Sequence, residues 1–87
     1  MHMTQGYLNS QLNITSVTQV KTGPGKLVTL VVSAGGTATL NDVVGTGNVG
    51  AANQICSLGA GSYQLIFPFF NGLVVASSGA ACSVAFE

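Results

Sequence analysis

Charge is the scarcest property of this 87-residue chain. It has two cations, Lys21 and Lys26, two anions, Asp42 and Glu87, and no arginine, so charged residues make up 5% of the sequence where about 25% is usual. So few cations cannot neutralise a phosphate track, which excludes a basic nucleic-acid surface. Disorder is excluded too, because it needs low hydrophobicity and high net charge, and 47% of this chain is apolar. Tryptophan is absent. No apolar run approaches the ~18 residues of a membrane helix. The longest, 65–70 with Pro68 inside and 72–76, have strand length. No charged stretch leads into an apolar one near the start, so no signal peptide is expected. Met1-His2-Met3 reads as a cloning junction ahead of a start at Met3, which sets residues 1–2 and His2 apart from the fold.

The same scarcity excludes most chemistry. General acid–base catalysis needs a titratable pair in one cleft, and beyond His2 only Asp42 and Glu87 qualify. The many serines have no histidine to activate them, so no catalytic residues and no enzyme are expected. Asp42 with Asn41 is too thin an oxygen set for a metal. Asp42 is expected to cap a turn by accepting backbone N–H groups. Cys56 and Cys82, 26 residues apart, lack both C-x-x-C spacing and a histidine partner, which excludes a zinc site. Two buried thiols and a disulfide between neighbouring strands both remain open. A catalytic thiolate lacks a nearby base or cation.

Two glycine motifs also fail on context. Gly23-Pro24-Gly25-Lys26 resembles part of a phosphate loop but is followed by Leu27 and a strand rather than a helix. Gly45-x-Gly47-x-x-Gly50 matches a dinucleotide fingerprint on paper, without the βαβ unit it requires. No cofactor is expected. Asn13-Ile14-Thr15 fits the glycosylation pattern, which is silent without a secretory signal.

What is present is strand chemistry. Twelve glycines punctuate short segments rich in Val, Leu, Thr and Phe, and no window carries helical periodicity. The expected strands cover 12–21, 26–33, 37–41, 51–58, 62–67, 73–76 and 81–87. In the first, the apolar phase slips near Thr15-Ser16, which calls for a bulge or bend. The second is apolar on both faces and is expected at the centre of a sheet or covered by a partner chain. Gly35-Gly36 and Asn71-Gly72 carry hairpin chemistry. In the last strand Cys82, Val84 and Phe86 alternate inward. About seven strands at this spacing predict an all-β fold: one compact antiparallel β-sandwich or small barrel over 11–87, with no long helix. Residues 3–10 read as an N-terminal arm anchored by Tyr7 and Leu8.

A domain this small buries only about 60% of its unfolded surface, so association would add needed stability. The Phe67-Pro68-Phe69-Phe70 stretch cannot all face one thin core. Phe67 and Phe69 are expected inward and Phe70 partly covered, or one of them anchors a subunit interface. The candidate interface set is Tyr7, Leu8, Phe67, Phe69 and Phe70.

Lys21-Thr22-Gly23-Pro24-Gly25-Lys26-Leu27, then Gly36-Thr37-Ala38-Thr39-Leu40-Asn41-Asp42, then Phe67-Pro68-Phe69-Phe70-Asn71-Gly72-Leu73-Val74-Val75 and a closing Ser83-Val84-Ala85-Phe86 occur in that order. The chain resembles small virion proteins of tailed bacteriophages, among them capsid cement (decoration) proteins, over residues 21–87. That resemblance implies a β-rich structural subunit, commonly a homotrimer, bound to the major capsid protein or to a tail, baseplate or fibre component. It implies a place in the phage particle after assembly in the host cytoplasm, with no small-molecule substrate, nucleic acid or membrane as partner. A small β-sandwich carbohydrate-recognition module, with Tyr7 or Tyr63 as the sugar platform, is the alternative outside that group.

Overall fold

A computed structural model describes residues 9–87. It contains eight strands: β1 Asn9–Ile14, β2 Thr18–Thr22, β3 Gly25–Val32, β4 Thr37–Asn41, β5 Gln54–Leu58, β6 Gly61–Phe69, β7 Gly72–Ser78 and β8 Cys82–Phe86. Two single 3-10 turns, Thr46–Asn48 and Ala51–Asn53, lie between β4 and β5. Among the described residues no helix is long and apolar enough to cross a membrane. The Tyr7–Leu8 anchor and residues 3–8 of the expected arm lie outside the described residues. Asn9 and Ser10 already belong to β1, pairing with Phe86 and Ala85, so the β-domain begins before residue 11.

The strands form two four-stranded antiparallel sheets, ordered β1-β8-β3-β6 and β2-β7-β4-β5. This is a sandwich and not a closed barrel. Its strand order is that of an eight-stranded jelly roll, two interlocked Greek keys. Only β4 and β5 are consecutive strands paired in one sheet; every other connection crosses between sheets.

That crossing corrects two expectations. The segment 12–21 is two strands rather than one: the chain bends at Ser16, and the phase slip there marks the step from the first sheet to the second. Gly35-Gly36 and Asn71-Gly72 are not hairpins, because β3 and β6 lie in the first sheet and β4 and β7 in the second. Their glycines serve close approach instead. A Cβ on Gly36 would collide with the backbone of Ser78 and Gly79, and one on Gly72 would stand 2.8 Å from the Lys21 carbonyl and 2.9 Å from that of Val43.

The core lies between the sheets. Leu27, Leu30 and Val32 of β3, Phe69 of β6 and Cys82, Val84 and Phe86 of β8 pack against Ala38 and Leu40 of β4 and Leu73 and Val75 of β7. The inward alternation of β8 is as the sequence pattern requires. β3 lies between β8 and β6 and is central in its sheet as expected, but its outward Val31 is 44% exposed. Val74 points away from this core yet is fully buried. It is flanked in register by Gln19 and Asn41. The Gln19 amide group donates to the carbonyls of Lys21 at 2.6 Å, Leu73 at 3.2 Å and Val43 at 3.3 Å, and its oxygen accepts from the Gly45 N–H at 2.6 Å. Gln19 thereby straps the β4–β5 connection over the outer face of the second sheet.

β1, β6, β2 and β5 are the edge strands, and each carries one residue more than its partner. The extra residue falls between Gln11 and Ile14, at Val20, at Ile55 and between Gln64 and Phe67. Asn13 and Ile66, within two of these bulges, hold positive φ of 55° and 44°. β3 has a further shift near Val28 against β8, while β4 and β7 pair without interruption. Bulges twist an edge away from a would-be partner strand. A chain with two lysines cannot guard four edges with charge, and the backbone takes that role.

Candidate functional site

All four charged side chains lie at one end of the sandwich, where β2, β4, β6 and β8 finish and β3 and β7 begin. Lys26 Nζ stands 3.6 Å from Glu87 Oε1, and Lys21 Nζ donates to the Glu87 carbonyl at 3.1 Å. The opposite end, built from 15–17, 33–36, 59–60 and 79–81, carries no charged residue.

Asp42 organises the charged end. It caps a turn, as expected, but one far along the chain rather than its own. Oδ2 accepts the Phe70 N–H at 2.9 Å, and Oδ1 accepts those of Asn71 at 2.7 Å and Gly72 at 3.3 Å. The Asp42 N–H donates to the Asn53 carbonyl at 2.8 Å, so one residue ties together the start of the 42–53 connection, its last 3-10 turn and the β6–β7 turn. Desolvation pushes its pKa up, but the N–H groups of Asn71, Phe70 and Gly72 outweigh it and hold the carboxyl below its ordinary 3.8.

The clamped turn presents aromatic surface. Phe69 is core, 1% exposed, and Phe70 is 71% exposed. Phe67 departs from the inward placement expected of it. It pairs with Leu27 on the inward side of β6, yet is 46% exposed, because β6 and β5 are both edges and the sandwich is open between them. Ile66, next to it in the chain, is 58% exposed. The opening is a cleft of about 420 Å³ lined by Ile55, Phe67, Pro68 and Phe70 together with Asp42, Gln54 and Asn71. A second, smaller depression of about 120 Å³ lies on the outer face of the first sheet around Leu12 and Val31.

Phe67 and Phe70 are thus brought together at one cleft, and Phe69 is withdrawn into the core. Tyr63 packs on the core, and its hydroxyl donates to the Gly59 carbonyl at 2.9 Å, which ties the ring to its own turn. Cys56 and Cys82 are both free thiols, on strands of different sheets that do not pair. Burial pushes both thiols up, partly opposed at Cys82 by the Ser77 hydroxyl, so neither is an activated nucleophile. Gly45, Gly47 and Gly50 lie in a connection of 3-10 turns, with no helix N-terminus to hold a phosphate. Among the described residues no three metal-ligating side chains come together.

Sequence reasoning did not find Gln19, the distant partner of Asp42, or the edge bulges. Each is a relation between segments that no local pattern encodes. No protein-family model, curated protein or solved structure matches the chain.

Proposed function

We propose that this protein is a non-enzymatic structural subunit of a tailed-phage virion, a capsid cement protein that assembles as a homotrimer on the major capsid protein. The observation that carries this reading is the Phe67–Phe70 patch. Phe70 is 71% exposed on a turn whose three N–H groups are fixed by Asp42. An exposed aromatic on a fixed turn, beside a cleft whose one charged group, Asp42, is already bonded to backbone N–H groups, has the character of an interface anchor.

Three further features support it. The jelly-roll strand order is one that capsid proteins use, which is support by analogy of fold. The bulged edges disfavour open-ended strand pairing, so association through side-chain surfaces can close into a small symmetric ring. Lys26 pairs with Glu87, and the Asp42 carboxylate is taken up by three backbone N–H groups, so the aromatic patch carries no charge without a partner, which suits permanent assembly.

Light scattering across a concentration series tests the first half: a concentration-independent trimer is expected, and a stable monomer counts against it. Mixing the protein with purified capsids tests the second, with hundreds of copies per particle expected. A few to tens of copies would point to a tail, baseplate or fibre position. The cleft at Phe67, Phe70, Gln54 and Asn71 favours a carbohydrate-recognition module as the second reading. A glycan screen that is positive for a monomeric protein would establish it.

A further inference from the structure

We propose that Asn71-Gly72 is a latent self-modification site, a succinimide-forming pair that the Asp42 carboxylate holds inactive. The inference rests on the chemistry of this turn and is independent of the virion reading.

The reaction needs only water. The Gly72 nitrogen, stripped of its proton, attacks Asn71 Cγ. The Cγ–Nδ2 bond breaks, ammonia leaves with a proton taken from solvent, and a five-membered succinimide closes. Water then opens either ring carbonyl to give aspartate or isoaspartate. The sum is asparagine plus water to aspartate plus ammonia, with no oxidant or reductant. A following glycine hinders the closure least, because it presents no side chain to the incoming carboxamide.

Asn71 is exposed, so water has access to it. Three features oppose the closure. The Gly72 N–H that must be lost is bonded to Asp42 Oδ1 at 3.3 Å, and a carboxylate there disfavours a second negative charge on that nitrogen. The Asn71 N–H is bonded to the same oxygen at 2.7 Å. The Asn71 carbonyl accepts the Gly23 N–H at 2.8 Å. Both peptide planes flanking Asn71 are therefore held, while closure requires the Asn71 carboxamide and the Gly72 nitrogen to swing together. No other carboxylate bonds this turn, so the electrostatic part of its restraint depends on Asp42, while the Gly23 N–H holds the Asn71 carbonyl independently.

Conversion would place a carboxylate beside Asp42 and take the formal net charge from zero to one negative. Two carboxylates competing for the same N–H groups would loosen the turn that presents Phe70.

The full chain is incubated at mildly alkaline pH, and conversion at Asn71 is followed by peptide mapping and an isoaspartate assay. Asp42→Asn should convert at Asn71 about tenfold faster than the wild type, the factor carried by one charge-assisted hydrogen bond. An Asp42→Asn protein that keeps its native circular dichroism and converts no faster overturns the proposal. Should that variant unfold, the wild type decides. Native chain converting at Asn71 as fast as chain unfolded in urea overturns the proposal, and conversion at least about tenfold slower supports it.

Discussion

The Asp42 carboxylate and the Asn71 backbone N–H, 29 residues apart in sequence, meet at 2.7 Å. This bond joins β4 of the second sheet to the turn by which the chain returns from β6 of the first. It is one of three from the same carboxylate, and together they set where Phe70 is displayed.

Removing this carboxylate should therefore destabilise the fold. Asp42→Ala leaves three N–H groups to find water, and a cost of about 2 kcal/mol follows from the typical worth of bonds to a charged acceptor. For a domain of this size that is a fall in Tm of about 10 °C. The pH dependence has a definite sign. The folded-state pKa is depressed, so the contribution is fully present above the unfolded value of ~4 and lost as pH falls through the folded pKa. Thermal melts of the wild type should be flat above about pH 5 and decline below about pH 4, and Asp42→Ala should show less of that decline. Equal acid sensitivity in the two proteins would refute the assignment.

Ile66 should be a site where glycine stabilises. A β-branched residue at φ 44° is strained by of order 1–3 kcal/mol. Glycine adopts that backbone freely, at a cost of roughly 0.5–1 kcal/mol in the unfolded chain. Ile66→Gly is expected to raise the urea midpoint by an amount equivalent to about 1 kcal/mol, and it also removes exposed apolar surface. A lowered midpoint would mean that the Ile66 side chain contributes more than its backbone costs.

Phe69 and Phe70 are adjacent and should behave as opposites. Phe69 is buried among core residues from both sheets, so Phe69→Ala should cost about 3–5 kcal/mol. Phe70→Ser should leave the monomer's denaturant midpoint within about 0.5 kcal/mol of wild type while weakening self-association in light scattering. Unfolding of Phe70→Ser would place that ring in the core and remove the anchor from the proposed interface.

These positions show what a sequence discloses. The alternation of Cys82, Val84 and Phe86 fixed their inward face, because period two is a property of the strand itself. The all-β class followed from the same regularity and from the spacing of turns. Strand pairing did not follow. Gly35-Gly36 has hairpin chemistry, yet Gly36 is required because the Ser78–Ala80 backbone passes against it. Phe67 has inward phase in its strand, yet is uncovered because no strand lies beyond β6. The candidate site was legible as a composition, an aromatic run near an isolated acid, but its geometry depends on a contact between residues 42 and 70–72 that only the folded topology creates.

Pro68 supplies a last test of how this uncharged surface stays discrete. The N–H and carbonyl of Lys26 both bond to Glu87, on the β8 side of β3. Lys26 pairs with Pro68 on its other side, which makes that a non-hydrogen-bonded pair and turns the backbone N and O of Pro68 outward from the sheet. A residue with an N–H there would offer an edge donor to another chain; proline offers none. Pro68→Thr keeps a strand-compatible side chain and adds that donor. It should increase concentration-dependent association by light scattering, with a rise in β-sheet signal on assembly, and the increase should be suppressed by a further Gln64→Lys charge on the same edge strand. If Pro68→Thr associates no more than wild type, the bulge at Leu65–Ile66 alone closes this edge, and the proline serves the path of the chain into the Phe70 turn.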